Sequence, residues 1–434
     1  MVVNSVECMP YKLTAIATLV AMLYAPCARS EEPDAPVLVF RGFGSMGVVH
    51  SSEGNADFVG NFSQPNGAGF TRSWSTDVDT RIGAQANATI NERLSAAVQV
   101  VAQHRYDNSY SPQIEWANLK YQFTPEIGVR AGRTLLATFM ESDSRLVSYS
   151  YPWVRPPQEI YGMLPVTNKD GVDAFYRIQT GEATNTVQAS YGDTILKTPG
   201  GGEVRGRPIF DINDTLEYGA GTVRIGYTKL RGDVHSPTLD NLFGGLAQFG
   251  NTVSAIPGLQ ATGAQALALV SKYQLIRFPY SVVTVGGSYD PGTWLLMGEW
   301  ASAKTSAAIS SANAWYVTGG YRFGDFMPYL TLAKLKVDKL SEPGIQTAGL
   351  PPALAQTALA LNSGLNAVIN GYALSQQTVS MGLRWDFARS MALKLQYDRL
   401  SLGAGSTGWL GNIQPGFQPG GRVNVLSAVA DFVF

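Results

Sequence analysis

The residue types that most often carry catalysis are scarce in this chain. Its 434 residues contain three histidines, His50, His104 and His235. A catalytic histidine needs a nucleophile or a carboxylate beside it, and a metal-binding histidine needs further ligands at a fixed spacing. His104 falls on the apolar side of a predicted strand, and the other two lie in or beside predicted loops. We therefore expect no catalytic site, no metal and no cofactor, with a lipase or protease as the alternative among enzymes.

Charged and amide side chains instead recur at every second position. Between residues 76 and 90, one face is polar and the other is mostly valine, isoleucine and alanine. This period is that of a β-strand with one face toward water and the other toward an apolar environment. The basic residues on the polar faces of the first five predicted strands are Arg41, Arg81, Arg105, Lys120 and Arg130. Side chains of this kind attract and orient ions and polar solutes in water.

These faces belong to sixteen predicted strands, the first at Val37–Val49 and the last at residues 422–434. The last strand alternates to its end and stops on Phe434. Every connection from an even-numbered to an odd-numbered strand is a short turn, whereas most of the others are long. We therefore predict an all-β fold: a transmembrane antiparallel β-barrel with short periplasmic turns and long extracellular loops. A β-sandwich has no reason to segregate its loop lengths in this way.

Aromatic side chains collect near the short turns. They are Tyr121, Phe123, Tyr218, Tyr289, Tyr321, Phe323, Tyr329, Trp385, Phe387, Phe432 and Phe434. Rings that have both apolar and polar neighbours suit the interface between a membrane and water. After the first thirty residues no apolar run is long enough for a membrane-spanning helix, so the pattern predicts spanning by strands.

The first thirty residues have the composition of a cleaved secretory signal. Lys12 precedes the apolar run Leu13–Ala25, and the predicted cleavage site follows Ser30. Both cysteines, Cys8 and Cys27, lie within this segment, so the exported chain would have no disulfide. Lipidation of Cys27 is the alternative, which the proline before it disfavours. The net charge of −1 gives no reason to expect a nucleic-acid partner.

In combination these features resemble the Gram-negative trimeric general porins. The resemblance covers the whole chain after residue 30 and includes the segments Tyr316–Asp325, Pro328-Tyr329 and Gly171–Ala174. It implies an outer-membrane channel for passive diffusion of small hydrophilic solutes and ions, contact with outer-membrane lipid, and a homotrimer. It also implies that Phe434 is the terminal signal read by the barrel-insertion machinery.

The resemblance further implies where such a channel is narrowest. Residues 135–169 form a long connection of the kind that folds into the pore in porins. Glu141 and Asp143 would then face the five basic residues of the wall, and the opposed charges would set a transverse field across the pore. The near-neutral net charge favours neither cations nor anions.

Two other long connections leave a second function open. Residues 233–275 and 340–374 are long enough to contact a partner, so a non-conducting barrel for binding or adhesion is the alternative. Within them, Pro257–Tyr273 has helical character, and a second helix is predicted to begin at Pro351-Pro352. Few charges lie in these helical stretches, which indicates loops packed over the mouth of a barrel, where they could also plug the pore.

Overall fold

The computed structural model describes residues 37–434, and sixteen of its strands form the wall of one barrel. These strands are β1 (Val37–Ser51), β2 (Arg81–Thr89), β3 (Leu94–Gln103), β4 (Gln113–Gln122), β5 (Ile127–Leu135), β6 (Asn168–Thr180), β7 (Ala183–Thr198), β8 (Gly202–Tyr218), β9 (Gly221–His235), β10 (Phe278–Tyr289), β11 (Trp294–Thr305), β12 (Ala312–Tyr321), β13 (Phe326–Val337), β14 (Gln376–Ala388), β15 (Met391–Leu402) and β16 (Arg422–Val433). The predicted strand number and fold class are confirmed. The predicted signal segment, with its two cysteines, lies outside the described residues.

The sheet closes on itself. Each strand pairs antiparallel with the next in the chain, and β16 returns to pair with β1, where Gly44 lies opposite Phe432. On the inner side of this seam the Ser45 hydroxyl donates to the Asp431 carboxylate at 2.6 Å. Closure pairs the backbone groups that an open sheet would leave at its edges, which is the condition for a β-sheet to stand in lipid.

The wall alternates between two faces, as predicted. On β9, Val223, Ile225 and Tyr227 point outward and are exposed, whereas Arg224 and Thr228 point inward and are buried. An exposed apolar belt with a period of two residues matches the requirement of a barrel surrounded by lipid. No helix within residues 37–434 is long and apolar enough to span a membrane.

The two ends of the barrel differ in their connections. At one, which we call the short-turn end, strands join through turns such as Gly219-Ala220 and residues 322–325. The other, the long-loop end, carries the long connections 52–80, 136–167, 236–277, 338–375 and 403–421. Two-residue strands at Asp57–Phe58, Ala68–Gly69 and Leu410–Gly411 join the first of these loops to the last. A fourth, Trp74–Ser75, pairs with β1.

The described helices lie in these long loops. They are α1 (Gln158–Tyr161), α2 (Pro237–Ser254), α3 (Gln260–Tyr273) and α4 (Pro352–Gly371), with a 3₁₀ turn at Ser148–Ser150; a second 3₁₀ turn, Pro199–Gly201, joins β7 to β8. Helices α3 and α4 match the two predicted helical segments, but α2 was not predicted. Its glycines obscure the helical pattern, while Ser236 caps its start by accepting from the Leu239 amide at 3.3 Å.

Helices α2, α3 and α4 pack into one layer at the long-loop end, which we call the helical cap. Leu246 and Phe249 of α2, Leu269 of α3, and Leu365 and Ile369 of α4 share a buried apolar cluster. The apolar faces of the two loops are therefore buried against each other. This arrangement agrees with loops packed over the barrel, as the low charge of the segments indicated.

Most of the predicted aromatic belt lies where expected. Phe123, Tyr218 and Phe323 are exposed on the outward face at the short-turn end. Tyr329 is an exception, because it points inward, is 5% exposed, and donates its hydroxyl to the Gln396 side chain at 2.7 Å. Its prediction as a belt residue was wrong, since odd-numbered residues of β13 face the interior.

The inward face differs in polarity from one part of the wall to another. Val282, Ala301, Tyr316 and Leu335, from β10 to β13, belong to one buried apolar cluster that includes side chains of residues 136–167. On β2 to β4, by contrast, the inward positions are mostly polar and half-buried. The predicted polar inward face thus holds for β2 to β4, whereas β10 to β13 contribute to a packed apolar core and β14 to β16 carry buried polar residues such as Lys394 and Asp431.

Candidate channel constriction

Residues 136–167, between β5 and β6, lie inside the barrel, and we call them the inward loop. The loop leaves and rejoins the wall at one place, where the Leu136 amide donates to the Thr167 carbonyl at 3.1 Å. Between these points it reaches the far wall, first at β9, where the Thr138 and Thr228 hydroxyls lie 2.9 Å apart. Further contacts follow on β11 to β16, so the loop crosses the barrel interior.

Aromatic side chains anchor the inward loop to β12 and β13. Trp153 is fully buried, and its indole NH lies 2.9 Å from the hydroxyl oxygens of both Thr318 and Thr331. Its ring meets the edge of Tyr316 at a centroid distance of 5.4 Å, and Tyr151 lies 5.7 Å away. A large buried ring with a satisfied donor fixes both the position and the orientation of the loop.

Arg155 binds the inward loop to two acidic residues of the opposite side. Its guanidinium lies 2.6 Å from Asp79, 3.2 Å from Asp398 and 2.7 Å from the Ser427 hydroxyl, and its side chain is 6% exposed. Burial alone lowers the pKa of Arg155, but the two carboxylates outweigh burial and raise it. A buried cation held between two carboxylates keeps this part of the loop in place.

A second buried cation comes from the wall. The Lys394 ammonium of β15 lies 2.9 Å from Asp431 and donates to the Ser148 and Trp153 carbonyls at 2.5 and 2.9 Å. Arg384 of β14 adds a contact of the same kind to the Tyr149 carbonyl at 2.7 Å. Positive side chains of β14 and β15 therefore satisfy backbone carbonyls of the loop.

The acidic residues of the inward loop occupy three different environments. Glu141 is half-buried and accepts from the Ser144 hydroxyl, and burial raises its pKa. Asp143 is 69% exposed and lies 3.6 Å from Arg224 of β9. Glu159, in α1, is 2% exposed and accepts from Gln376 at 2.8 Å; burial raises its pKa as well.

Three of the five predicted basic residues line the polar side of the barrel wall. Arg81 begins β2, is half-buried, and pairs with Ser45 of β1. Lys120 lies opposite Arg130 in the register of β4 and β5. These three side chains face the interior, but the structure gives them different partners.

Lys120 and Arg130 are held by groups on β6. The Lys120 ammonium lies 4.7 Å from the centre of the Phe175 ring. Arg130 forms an ion pair with Asp173 at 2.7 Å, and Lys169 also binds this carboxylate. Because Asp173 is fully buried, much of the Arg130 charge is compensated on the wall itself.

Arg41 and Arg105 lie farther toward the two ends. Arg41 is exposed next to Gly42, which pairs with the chain terminus at the short-turn end. Arg105 lies two residues after the end of β3 and donates to the Gln113 side chain at the long-loop end. Arg133, which is out of phase with Arg130, points outward and forms two hydrogen bonds of 2.7 Å with Asp170.

A cavity of about 1080 Å³ lies beside the inward loop at the long-loop end. Its lining includes Arg81 and Arg105, Arg145 of the inward loop, and the aromatic residues Tyr280 and Trp409. Arg145 donates to two loop carbonyls, at 2.8 and 3.2 Å. Burial, with a smaller contribution from the charge of Arg81, lowers the pKa of Arg145 to about 10, so it stays charged at neutral pH.

The structure groups the charges differently from the sequence-based expectation. It brings Arg81 and Arg105 to one cavity, and it places Glu141 and Asp143 near Arg224. Within residues 37–434, neither loop acid forms an ion pair with any of the five predicted basic residues. Arg224 was missed although its alternation within β9 marks it as inward.

Sequence reasoning also missed the residues that fasten the loop. Lys394, Asp398 and Asp431 all lie on inward positions of β15 and β16, which the strand alternation reveals. Arg155 was visible as a charged residue of the loop. The pairing of Arg155 with Asp398 was not visible, because the two residues are 243 residues apart in the chain.

The three histidines have ordinary local partners. His50 stacks on Trp74 at 4.8 Å, and His104 lies 2.8 Å from the Asn108 side-chain oxygen. His235 lies 3.7 Å from Asp240. Among the described residues no group of His, Cys, Asp and Glu could hold a metal ion.

Comparison with solved structures finds barrels of similar architecture. The outer-membrane channel DcaP of Acinetobacter baumannii has 13% sequence identity and a TM-score of 0.53, with 94% of this chain and 100% of that chain covered. OmpF of Salmonella typhi, solved with daunomycin, has 12% identity and a TM-score of 0.53, with 93% and 99% covered. OmpT of Vibrio cholerae, in its trimer form, has 14% identity and a TM-score of 0.50, with 92% and 100% covered.

Sequence comparisons add nothing to this result: neither protein-family models nor curated protein sequences gave a match. The structural likeness extends over almost the whole described chain and matches the closed sixteen-stranded wall found above. The protein therefore has the fold of the Gram-negative outer-membrane porins.

Proposed function

We propose that this protein is an outer-membrane porin, a water-filled channel for passive diffusion of small hydrophilic solutes and ions. The observation that carries the proposal is the asymmetry of the interior. The inward loop is bonded to β9–β16, while half-buried polar residues line β2 to β4. A sixteen-stranded barrel encloses more space than its own side chains fill, and polar walls favour water over a dry core. The proposed solute path runs between the inward loop and the polar wall.

The narrowest part of this path is proposed to lie at residues 141–147. Hydrogen bonds from Glu141 and Arg145 in this segment go to other parts of the inward loop rather than to the far wall. Asp143 is exposed there and lies 3.6 Å from Arg224 of β9, which is the contact of this segment with the far wall, and Arg81 stands on the polar wall. Charges of both signs therefore border the proposed path, which supports a field across it.

The proposed setting is the outer membrane of a Gram-negative bacterium, with the long-loop end outside and the short-turn end in the periplasm. We further propose a homotrimer, by analogy with the trimer form described for the Vibrio OmpT. The outward faces of β2 to β4 support this assembly, because they carry small side chains that allow a second barrel to approach closely. These side chains are Ala84, Ala86, Ala96, Ala102 and Ala117.

Single-channel conductance of the purified protein in planar bilayers tests the proposal. We expect stepwise conductance and, after replacement of residues 141–147 by a short glycine–serine linker, larger steps. The matched control shortens the mostly exposed segment 346–349 beside the helical cap, which should leave the steps unchanged. A folded wild type that never conducts would exclude the channel, and unchanged steps in the 141–147 variant would exclude that segment as the constriction.

A binding or adhesion barrel is the function that a non-conducting result would favour. No described feature favours it now, since the helical cap is compact and its apolar residues are buried against each other. The expectation that the chain is not an enzyme stays a prediction.

A further inference from the structure

The cavity of about 1080 Å³ beside the inward loop has a cationic side. Arg81 of β2 and Arg105 beyond the end of β3 line it from the wall, and Arg145 lines it from the inward loop. Within residues 37–434, none of these three guanidinium groups forms an ion pair with a carboxylate. Their hydrogen bonds go to an amide side chain and to backbone carbonyls instead. The charge of this side is therefore not compensated by direct pairing.

The acidic residues of the cavity lining do not neutralise this side. Asp170 is held by an outward arginine at 2.7 Å, and Asp193 is exposed on an outward position of β7. Glu115 is buried, and its carboxylate accepts from Thr167 and Asn168 at 2.8 and 2.7 Å. Three guanidinium groups thus stand against one buried carboxylate, so the cavity favours an anionic occupant.

Arg105 and Trp409 carry buried donors that have no hydrogen-bond partner among the described residues. In Arg105, Nη2 donates to Gln113, but Nε and Nη1 are unpartnered. The indole NH of Trp409, in the loop between β15 and β16, is in the same state. A buried donor without a partner is destabilising, and an oxygen atom of a ligand that reaches it recovers that free energy. The cavity therefore offers donors that the protein itself leaves unused.

The opposite side of the cavity is apolar. Leu230 of β9 and Phe278 and Tyr280 of β10 line it, and the first two are buried. Strands β9 and β10 lie seven strands from β2 and β3 in the closed order, almost half of the way round the barrel. The cavity is therefore amphipathic, with positive charge on one side and apolar side chains on the other.

Residues 161–164 of the inward loop bring the two sides close together. Arg145 donates to the first and last carbonyls of this segment at 2.8 and 3.2 Å, and the Tyr280 hydroxyl donates to the third at 2.7 Å. The Trp409 ring covers Gly162, where a Cβ would lie 2.6 Å from the ring. A guanidinium, a phenol ring and an indole ring thus meet on one short segment, so a single small molecule can contact all three.

We propose that this cavity binds an organic carboxylate with a flat apolar body, such as an arylacetate, and that this class of solute is the one the channel preferentially takes up. A carboxylate accepts paired hydrogen bonds from a guanidinium, and Arg105 and Arg145 supply such groups. The apolar body lies against Tyr280 and Trp409, whose rings favour stacked or edge contacts. A solute charged at both ends fits less well, because only one side of the cavity is cationic. The uptake role rests on the proposed channel function, whereas binding does not require conduction.

Equilibrium binding to the full-length folded barrel in detergent tests the site, with 2-naphthylacetate as the probe. The neutral 2-naphthylacetamide keeps the ring without the charge, and succinate keeps carboxylates without the ring. Two site variants, Arg105→Gln and Trp409→Leu, change different elements. Their matched controls, Arg399→Gln and Trp294→Leu, remove a cation and an indole ring from outward positions. Isothermal titration calorimetry, with protein-free micelles as the baseline, measures the dissociation constant, and heat-modifiable mobility shows that each variant is folded.

We expect the wild type to bind 2-naphthylacetate saturably, with affinity weakened about tenfold in Arg105→Gln and about fivefold in Trp409→Leu. Both controls should bind as the wild type does. Equal affinity for 2-naphthylacetamide or for succinate overturns the proposal, and so does unchanged affinity in a folded site variant. Absence of saturation below about 10 mM overturns it as well.

Single-channel recordings separate this proposal from the channel itself. In a conducting barrel, 2-naphthylacetate added at the long-loop end should interrupt the current of the wild type and of Arg399→Gln, and that of Arg105→Gln much less, because a solute bound in the path blocks ions. A barrel that binds the probe but never conducts refutes the channel and with it the uptake role, and supports the site. A barrel that conducts but binds no probe refutes the site alone.

Discussion

Arg155 shows at the scale of a single residue how the inward loop is held. The sequence suggested acids on the loop and bases on the wall, yet here the loop supplies the base and Asp79 and Asp398 supply the acids. Asp79 lies in the turn before β2, so its position is set by the loop rather than by strand alternation, whereas Asp398 occupies an inward position of β15. The partner of each inward charge depends on which loop residue crosses the barrel.

Replacing Arg155 by methionine should loosen the loop. Asp79 and Asp398 would be left buried without a cation, and breaking a buried ion pair from one side costs about 3–5 kcal/mol. We expect a lower midpoint in urea-induced unfolding at neutral pH. The matched control is Arg72→Met, which removes an exposed ion pair with Asp77 and should cost at most about 1 kcal/mol. Equal losses in both variants would contradict the structural role of Arg155.

Charge replacement at the proposed path should change ion preference. Arg81→Gln and Arg130→Gln each remove a lumen cation and should shift the reversal potential in a salt gradient toward cations. Asp143→Asn should shift it toward anions. The matched control is Arg399→Gln, because Arg399 has the same charge but lies on the outward face. A shift in Arg399→Gln as large as that in Arg81→Gln would show that the effect is not local to the pore.

At the scale of elements, the inward loop and the helical cap use different means of fixation. The cap is held by apolar side chains shared among three helices. The loop is held by Trp153 and by buried charges, among them Glu159 of α1, which accepts from Gln376 and Thr378 of β14. The buried charges make the stability of the inward loop depend on pH. The buried apolar contacts of the helical cap introduce no such dependence.

Glu159 gives this pH dependence a definite sign. Burial raises the pKa of Glu159, so the folded state holds its proton at a pH where the unfolded chain has lost it. Folding stability from this group is therefore greatest below the ordinary glutamate pKa and falls as the pH rises through the raised pKa. Glu159→Gln keeps an acceptor for Gln376 and Thr378 without the charge.

We expect the unfolding midpoint of Glu159→Gln to equal or exceed that of the wild type under mildly alkaline conditions, with the difference shrinking as the pH is lowered. Thermal unfolding across a pH series measures it. Glu217→Gln, at an exposed inward position near the short-turn end, is the control and should show little difference from the wild type. A constant difference at every pH would argue against titration of Glu159.

At the scale of the whole molecule, the last residue, Phe434, adds contacts to the seam that closes the barrel. Phe434 exchanges two backbone hydrogen bonds with Gly42, and its ring lies over that glycine, where a Cβ would be 2.1 Å from the ring. Phe432 covers Gly44 in the same way, with 2.3 Å to its ring. The two rings therefore make comparable packing contacts, but only Phe434 is the terminal residue.

Deleting Phe434 should lower the folded, heat-modifiable fraction in outer membranes, because the proposed terminal signal for barrel insertion would be lost. Phe432→Ala is the matched control: it removes a similar ring and leaves the terminus intact. A much larger loss in the deletion supports the terminal signal. Equal losses would mean that packing on the glycines accounts for the effect.

Export should remove the first thirty residues. We expect the protein purified from outer membranes to begin at Glu31, because Lys12, the apolar run Leu13–Ala25 and the small residues before the site form a signal pattern. Intact-mass analysis measures the N-terminus. A mass that retains Leu13–Ala25, or one that includes a lipid on Cys27, would contradict cleavage after Ser30.

The sequence by itself determined the wall of this protein. Alternation with a period of two is local, so it identified sixteen strands, the inward phase of residues such as Arg81 and Lys120, and the separation of short turns from long loops. Only the tertiary structure decided that one half of the interior is filled by the inward loop and that Arg155 meets Asp398 across 243 residues of chain. The physical reason is that strand alternation records which side chains face inward. It does not record whether an inward side chain meets water, a loop or a buried counter-charge, because that depends on where the inward loop lands on the far wall.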